Sequence, residues 1–214
     1  MDASRPRVIL LNGVSSAGKS SIARALQATL DGLYLFVEFD GFLGMVPARY
    51  KSDAVLWSAH QARIMTAYGA ALLAYLDAGL NLILDNVLPR DSRLLSQLTR
   101  ILTHYEVYFV GVRCPLEELE ARELGRGDRP IGQARLQFMT YGVHDHGHYD
   151  LQLDTSRLGP AEAAAHIRQH IESGPAPEAF AALRAEDAWI EGRRAGPAGK
   201  DQRDSRISGR SIRS

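Results

Sequence analysis

The sequence predicts an α/β fold in three layers, with a central parallel sheet of about five strands and helices on both faces. Two patterns support this prediction. Short apolar stretches alternate with longer segments whose apolar residues recur at helical spacing, as in a parallel sheet that is covered on both sides. A glycine-rich segment at residues 13–20 separates the first apolar stretch from the first helical one, as in phosphate-binding turns. The 214 residues suffice for one such domain and a tail.

The glycine-rich segment reads Gly-Val-Ser-Ser-Ala-Gly-Lys-Ser, which is the spacing G-x-x-x-x-G-K-S of a phosphate-binding loop. Gly13 and Gly18 allow a tight turn whose N–H groups point at phosphate oxygens. Lys19 places a positive charge near the β- and γ-phosphates, and the Ser20 hydroxyl can ligate Mg²⁺. We therefore expect ATP and Mg²⁺ as ligands. The predicted nucleotide-binding residues of this segment are Gly13, Val14, Ser15, Ser16, Ala17, Gly18, Lys19, Ser20 and Ser21.

The remaining elements continue the alternation of strand and helix. The predicted strands are 7–12, 33–39, 80–87, 106–113 and 149–153. The predicted helices are 21–30, 53–77, 90–103, 115–124, 131–141 and 160–172, with 42–52 irregular or short-helical. Asp53 can cap the long helix, Gly79 can end it, and Pro115 suits a first helical position. Three boundaries therefore depend on local chemistry as well as on periodicity.

Two acidic residues, Asp40 and Asp85, come at the predicted carboxyl ends of the second and third strands. In such sheets ligands bind at this edge, where residues 13–20 also lie. Asp85 is expected to hold Mg²⁺ together with Ser20, directly or through water. Asp40 is expected to orient an acceptor hydroxyl or to accept its proton. Helix or strand-end capping is the alternative role for both carboxylates.

Among the classes that bind nucleoside triphosphates, the sequence favours a small-molecule kinase. GTPase switches normally carry an Asn-Lys-x-Asp motif, which this chain lacks, and motor ATPases are usually larger. Arg122, Arg126 and Arg129 are expected to close over the phosphates, and Arg129 joins Lys19 and Asp40 in the predicted catalytic set. A solvated, charged helix end is the alternative for these arginines.

Composition limits the other classes of function. The chain is 45% hydrophobic and 23% charged, as is usual for a globular protein. Residues 193–214 carry seven basic and two acidic side chains, so the rest of the chain has a charge of about −5, which disfavours a nucleic-acid partner. One cysteine excludes an intramolecular disulfide. Without a stretch of about 18 apolar residues, we expect a cytoplasmic protein with no membrane partner.

Three alternating histidines, His144, His146 and His148, raise the alternative of a zinc site. Side chains at alternate positions of a strand share one face, so the three imidazoles can converge. Zinc is disfavoured because the sequence offers no second cluster of ligands.

From about residue 7 to residue 172 the sequence resembles the chloramphenicol phosphotransferases. The resemblance is carried by residues 13–20, Asp40, 83–87, 110–114, 122–123, 126–129, Gly132, Gln137, 143–144, 149–150 and 153–155. It implies a P-loop kinase-type fold with a mobile lid over about residues 122–133. It further implies an ATP-dependent kinase that phosphorylates a primary hydroxyl of an antibiotic, with Asp40 as the base and Arg126 and Arg129 as lid arginines.

We expect three segments: a kinase domain over residues 1–174, to which the resemblance applies, and, from composition, a helical extension over 175–192 and a basic, disordered tail over 193–214. The segment after Asp40 is shorter than in the chloramphenicol enzymes and differs from them, so the acceptor stays open. A sugar, a nucleoside or another metabolite is the alternative to an antibiotic, and a regulatory nucleotide-binding module is the alternative to a kinase. The tail is dispensable for catalysis in this interpretation; an RNA- or membrane-tethering arm is the alternative. The sequence does not indicate an oligomeric state.

Overall fold

The computed structural model describes residues 5–126 and 131–194 of the chain. Five parallel strands form one sheet in the order β2-β3-β1-β4-β5. The strands are β1 (Arg7–Asn12), β2 (Tyr34–Glu38), β3 (Asn81–Asn86), β4 (Glu106–Arg113) and β5 (Leu151–Asp154). The predicted parallel sheet of about five strands is confirmed, and β1 is its central strand.

Helices connect the strands and cover both faces of the sheet. They are α1 (Lys19–Thr29), α2 (Phe39–Gly44), α3 (Ala48–Ser52), α4 (Ala54–Asp77), α5 (Arg93–Ile101), α6 (Leu116–Arg126), α7 (Gln133–Thr140), α8 (Pro160–Ser173) and α9 (Ala179–Arg194). Apolar residues of α1 and α8 pack on one face, and those of α4, α5 and α9 pack on the other. The three-layer α/β fold predicted from the sequence is confirmed.

The three inner strands of the sheet, β1, β3 and β4, are mostly buried because each face of the sheet carries its own apolar cluster. On β1, Ile9 and Leu11 point into one cluster while Val8 and Leu10 point into the other, and all four are fully buried. This alternation follows from the period of two in a β-strand. A strand that is apolar on both faces belongs at the centre of a covered parallel sheet.

The long helix α4 has the boundaries that its local chemistry predicts. Asp53 Oδ1 accepts hydrogen bonds from the backbone N–H groups of Val55 and Leu56, at 2.8 and 3.0 Å. At the other end Gly79 adopts a φ of 82°, and its N–H bonds to the carbonyl of Leu76. The left-handed glycine satisfies helix carbonyls that would otherwise lack a donor.

The second strand ends earlier than predicted, which changes the setting of Asp40. Strand β2 stops at Glu38, and Asp40 lies in the first turn of α2. Phe39 and Phe42, three residues apart on α2, both make edge contacts with the buried ring of Tyr68 from α4, at 5.0 and 5.2 Å between centroids. Because residues three apart share one face of a helix, these two contacts favour a helical turn here.

The last described helix, α9, is part of the core. Ala179, Phe180 and Leu183 are buried in the cluster on the α4 and α5 face. Asp150, just before β5, accepts hydrogen bonds from the N–H groups of Glu178 and Ala179, at 2.7 and 2.9 Å. The start of α9 is thereby tied to the sheet. Within the described ranges, none of the helices combines the length and the apolar character needed to cross a bilayer.

Replacing Gly13 by alanine is expected to lower the free energy of unfolding by about 1–3 kcal/mol. A Cβ at this position would overlap the carbonyl oxygen of Val112 on β4, so the backbone would have to move. Gly125→Ala is the control, because the Cβ position at Gly125 in α6 has nothing within 4 Å. This control should leave the unfolding free energy unchanged or raise it by up to about 1 kcal/mol in urea titrations. Equal effects of the two substitutions would contradict the predicted clash.

Candidate active site

The loop at residues 13–18 turns sharply between β1 and α1. Gly13 passes against the backbone of β4, and Gly18 stands at the N-cap of α1 with a φ of 91°. Ser16 adopts a φ of 64°, in the left-handed region that side chains other than glycine rarely occupy. Its hydroxyl is buried and has no hydrogen-bond partner among the described residues. A strained residue with an unpaired hydroxyl, in a loop that precedes a helix, suits an anion-binding turn.

Lys19 and Ser20, at the first turn of α1, both contact Asp85. The Lys19 ammonium lies 3.4 Å from Asp85 Oδ1 and donates to the carbonyl of Val14 at 3.0 Å. The Ser20 hydroxyl donates to Asp85 Oδ2 at 2.7 Å. Lys19 is only 6% exposed, so its charge is held in place by the carboxylate and the loop carbonyl. The three residues that were predicted to bind phosphate and metal therefore lie together.

Two openings meet at this loop. The first, which we call the inner cleft, has a volume of about 200 Å³. It lies between the loop (Ser16, Gly18, Lys19, Ser20), the start of α2 (Glu38, Phe39, Asp40), the end of β3 and the residues after it (Asp85, Asn86, Val87, Pro89), and α7 with the next residue (Gln137, Tyr141). Asp40 and Asp85, which the sequence analysis placed at the ends of two different strands, both line this cleft.

The second opening, the outer groove, has a volume of about 710 Å³. It runs between α1 (Ser20, Ser21, Ile22, Arg24), Arg122 of α6, and the connection from β5 to α8 (Thr155, Ser156, Arg157, Leu158, Gly159, Pro160). Ser16, Gly18 and Ser20 line both openings. The loop thus has a small polar cleft on one side and a larger groove on the other.

The predicted arginines have different settings. Arg122 donates to the hydroxyl and the carbonyl of Thr155, at 3.1 and 2.7 Å, and pairs with Glu118 at 3.0 Å. The Thr155 hydroxyl in turn donates to the carbonyl of Ala17 at 2.9 Å, so Arg122 is connected to the loop. Arg126 is the last described residue of α6, and its side chain lies outside the described part of the structure. Arg129 lies outside the described residues altogether.

Glu123 also organises the segment around the loop, although the sequence assigns it no role. It is 2% exposed, and its two carboxylate oxygens accept hydrogen bonds from the N–H groups of Gly132 and Ala134, at 2.7 and 2.9 Å. These bonds fix the start of α7. From α7 the amide oxygen of Gln137 accepts a hydrogen bond from the loop N–H of Ser15 at 2.6 Å.

A buried polar network lies beneath the loop and involves two of the three histidines. The Asn12 amide donates to the Tyr149 hydroxyl at 2.8 Å, and that hydroxyl is 2.7 Å from Nδ1 of His144. Burial raises the pKa of Tyr149, so the hydroxyl keeps its proton, and it also donates to the carbonyl of Val143 at 3.4 Å. Burial, with a contribution from Arg113, lowers the pKa of His144 to about 4. Burial, with a contribution from His148, lowers the pKa of His146 to about 4 as well.

The third histidine has a separate partner. His148 Nε2 lies 2.7 Å from a carboxylate oxygen of Glu186 on α9. Among the described residues, no group of three or more His, Cys, Asp or Glu side chains is arranged to hold a metal ion. Each of the three imidazoles contacts a protein group: His144 the Tyr149 hydroxyl, His146 the backbone N–H of His148, and His148 the Glu186 carboxylate.

Two residues of the inner cleft, Glu38 and Tyr141, have no signal in the sequence, because they sit in ordinary apolar-polar contexts. Asn86, by contrast, lies within residues 83–87, which carry part of the family resemblance. The exposed side chain of Asp40 and the partly buried one of Glu38 lie on the same short stretch. Which of two nearby carboxylates faces a cleft depends on where β2 ends and α2 begins, and boundaries are the least certain part of a sequence-based prediction.

Comparisons with known proteins show the family and the fold of this chain. The family model of the chloramphenicol phosphotransferase-like proteins matches residues 6–172. A Mycobacterium tuberculosis protein (strain H37Rv) that is provisionally named an O-phosphotransferase is 32% identical over 200 residues, which covers 83% of this chain and 88% of that protein.

Three of the solved structures with the same fold are two kinases and a resistance protein. A sugar kinase from Janibacter sp. HTCC2649 has a TM-score of 0.60 at 18% identity, covering 80% of this chain and 97% of that one. The Mycobacterium tuberculosis APS kinase, in complex with AMPPNP and APS, has a TM-score of 0.59 at 18% identity, covering 79% and 99%. The Deinococcus radiodurans tunicamycin resistance protein has a TM-score of 0.54 at 17% identity, covering 78% and 95%. At these identities the likeness shows the fold.

The histidine network predicts a pH dependence of stability. An unfolded histidine titrates near pH 6.5, whereas His144 and His146 in the fold have pKa values of about 4, so the unfolded state binds these protons first as the pH falls. The free energy of unfolding should therefore be highest above pH 6.5 and decrease between pH 6.5 and 4.

Urea unfolding at pH 7, 6, 5 and 4.5 tests whether His144 and His146 cause this decrease in the free energy of unfolding. His146→Gln should make the decrease smaller, because one of the two histidines with a lowered pKa is gone. His166→Gln, at an exposed position on α8, should leave it as in the wild type. The same pH dependence in all three proteins would contradict the assignment.

Proposed function

The chain belongs to the chloramphenicol phosphotransferase-like family, and we propose that it transfers the γ-phosphoryl group of ATP to a hydroxyl group of a small molecule. The observation that carries this proposal is the meeting of the inner cleft and the outer groove at one phosphate-binding loop, with Ser16, Gly18 and Ser20 in both walls. Two openings that share a phosphate site are what a donor and an acceptor of phosphoryl groups require.

We assign the nucleotide to the outer groove. Its volume of about 710 Å³ is in the range of small-molecule sites, and it opens from the loop where the phosphates would bind. Arg24 and Arg157 line this groove, as does Arg122, and their positive charges favour a polyanionic ligand. The unpaired Ser16 hydroxyl and the N–H groups at the start of α1 would face phosphate oxygens.

Ser20 and Asp85 fit the nucleotide's metal ion. A hydroxyl and a carboxylate oxygen that already lie 2.7 Å apart are hard oxygen donors of the kind that Mg²⁺ prefers. We propose that Ser20 and Asp85 hold Mg²⁺, directly or through water. When bound, this ion would neutralise charge on the phosphate oxygens. Lys19, which is buried and held by Asp85, would supply a fixed positive charge at the same place.

We assign the acceptor to the inner cleft, where Asp40 lies. In the transfer, the acceptor hydroxyl oxygen forms a bond to the γ-phosphorus while the bond from that phosphorus to the oxygen of ADP breaks. The hydroxyl proton passes to Asp40, which also orients the hydroxyl for attack. In a loose transition state the proton leaves late, so orientation is the larger part of this role. The first turn of α2 places Asp40 in the cleft wall.

The remaining parts of the proposal concern closure and the acceptor. We propose that Arg122, Arg126 and Arg129 stabilise the phosphoryl group in transfer, with Arg122 held ready by Thr155 next to the loop. Excluding water while the phosphoryl group is transferred would favour transfer over hydrolysis.

We propose an antibiotic or a metabolite with a free hydroxyl as the acceptor. ATP as donor would place the reaction in the cytoplasm.

Asp40→Asn is expected to lower kcat at least about 100-fold with little change in the KM for ATP, because the substitution removes a proton acceptor but leaves the nucleotide groove intact. The assay is ADP release from ATP and Mg²⁺ with and without chloramphenicol, with mass spectrometry of the drug. Phosphorylated drug that disappears in the variant would support both the reaction and the role of Asp40. ATP turnover without any phosphorylated acceptor, in the drug assay and in a following metabolite screen, would overturn the proposal.

Asp85→Asn is expected to raise the Mg²⁺ concentration needed for half-maximal activity by roughly tenfold or more, because an amide is a weaker ligand than a carboxylate. Asp40→Asn is the matched control and should keep the wild-type Mg²⁺ dependence in its residual activity. The measurement is kcat as a function of Mg²⁺ concentration for wild type, Asp85→Asn and Asp40→Asn. An unshifted titration for Asp85→Asn would remove Asp85 from the metal site.

A further inference from the structure

One peptide group of the phosphate-binding loop, between Val14 and Ser15, is held from both sides. Its carbonyl oxygen accepts hydrogen bonds from the Lys19 ammonium at 3.0 Å and from the N–H of Ala17 at 3.3 Å. Its N–H donates to the amide oxygen of Gln137 on α7 at 2.6 Å. Because a peptide group is planar, the direction of its N–H also sets the direction of its carbonyl. Gln137 and Lys19 are therefore connected through one rigid group.

The Gln137 side chain is buried on a helix that is fixed at both ends. It is 7% exposed. The buried carboxylate of Glu123 accepts hydrogen bonds from two N–H groups at the start of α7. Just after the end of α7, the carbonyl of Val143 accepts a hydrogen bond from the amide of Asn12, at 3.0 Å. The helix is thus tied to α6 and to the end of the central strand, so Gln137 is held as rigidly as a positioning residue needs to be.

The loop is strained next to the peptide group that Gln137 contacts. Ser16, which follows this group, has a φ of 64°, in the left-handed region. Such a conformation persists only where the surrounding structure holds it. Gln137 supplies a holding contact from 122 residues further along the chain, on an element that packs independently of the loop's own turn.

The same contact bears on the position of the Lys19 ammonium. Two groups hold this buried ammonium: the carbonyl of Val14 at 3.0 Å and the carboxylate of Asp85 at 3.4 Å. If the carbonyl turned away, the attraction of Asp85 alone would determine where the charge lies. A positive charge stabilises a transferring phosphoryl group best when it is fixed before the reaction.

Resting on the nucleotide site proposed above, we propose that Gln137 is a positioning residue that places the Lys19 ammonium for the γ-phosphoryl group. Its amide oxygen orients the Val14–Ser15 peptide group, whose carbonyl holds Lys19. Gln137 also lines the inner cleft, together with Tyr141. One helix therefore forms a wall of the proposed acceptor site and aligns the charge that acts on the donor.

Two other roles for Gln137 give different results in binding experiments. A glutamine that only packs α7 against the loop would affect ADP and AMPPNP alike, because both nucleotides contact the loop. A glutamine that donates from its amide nitrogen to the γ-phosphoryl group would act without Lys19. A residue that acts through Lys19 changes the ratio of the two affinities and loses its effect when Lys19 is replaced.

Gln137→Met keeps nearly the same shape and removes the oxygen that accepts from Ser15. Calorimetric titration with ADP and with AMPPNP, both with Mg²⁺, should show the ratio of the affinity for AMPPNP to that for ADP reduced by roughly 5- to 20-fold. Gln133→Met is the matched control, because it makes the same change one turn earlier on α7, at a residue that lines neither opening. Its ratio should equal that of the wild type. An unchanged ratio in Gln137→Met, with both nucleotides bound, would overturn the inference while the nucleotide site stands.

A double-mutant cycle tests whether the effect passes through Lys19. Lys19→Met alone should reduce the ratio by roughly 10- to 100-fold, as expected for a lost hydrogen bond from a charged group. Adding Gln137→Met to Lys19→Met should then change the ratio less than about twofold, because the group that Gln137 positions is already gone. The full effect of Gln137→Met in this background would assign Gln137 a contact of its own with the phosphates and overturn the inference.

Hydrogen exchange tests the contact without any nucleotide. In Gln137→Met the amide protons of Ser15 and Ala17 should exchange at least roughly tenfold faster than in wild type, because the peptide group between Val14 and Ser15 is released. The amide proton of Leu88, which donates to Asn12 at 2.8 Å, should exchange as in wild type. Equal acceleration at Leu88 would assign Gln137 to the stability of the whole fold and overturn the inference.

The same exchange measurement separates a failure of the inference from a failure of the proposed function. If wild type binds neither ADP nor AMPPNP, the proposed function fails. Faster exchange at Ser15 and Ala17 alone would then still support Gln137 as the residue that positions the loop. Unchanged exchange at both amides would overturn the inference, whether or not the nucleotides bind.

Discussion

The active-site end of the molecule depends on one buried side chain, the amide of Asn12. Asn12 is fully buried at the end of the central strand, immediately before the phosphate-binding loop. Its oxygen accepts from the N–H of Leu88, at 2.8 Å, and its nitrogen donates to the Tyr149 hydroxyl and the Val143 carbonyl, at 2.8 and 3.0 Å. One amide thereby ties the loop to the segment after β3 and to the segment after α7. In a buried setting each of these bonds is costly to leave unmade, so the three segments have one arrangement.

A second feature is the way negative and positive charge are divided at the loop. Asp85 contacts both Lys19 and Ser20, which keeps a buried ammonium compensated in the absence of nucleotide. The basic side chains Arg24, Arg122 and Arg157 lie along the outer groove, whereas Glu38, Asp40 and Asp85 lie along the inner cleft. The two openings therefore differ in charge as well as in size. In the proposed reaction, the basic groove takes the polyanionic donor and the inner cleft takes its reaction partner.

Tertiary contacts also decided where the second strand ends. The apolar run predicts a strand that ends at Phe39, yet β2 stops at Glu38. The contacts of Phe39 and Phe42 with Tyr68, some thirty residues away in the chain, favour the helical turn of α2 here. The change is only one residue, and both Glu38 and Asp40 line the cleft wall. Local propensity cannot anticipate a contact with a distant ring.

The sequence by itself determined the order of strands and helices, the boundaries of α4 and the position of the phosphate-binding loop. These features depend on periodicity, caps and motif spacing, which act over a few neighbouring residues. It also predicted Asp85 beside Ser20, because the carboxyl ends of parallel strands share one edge. Only the tertiary structure decided that Gln137 bonds to the loop, that Asn86 is buried, and that Glu38 lines the inner cleft. Those relations join residues far apart in the chain, and packing rather than local chemistry sets them.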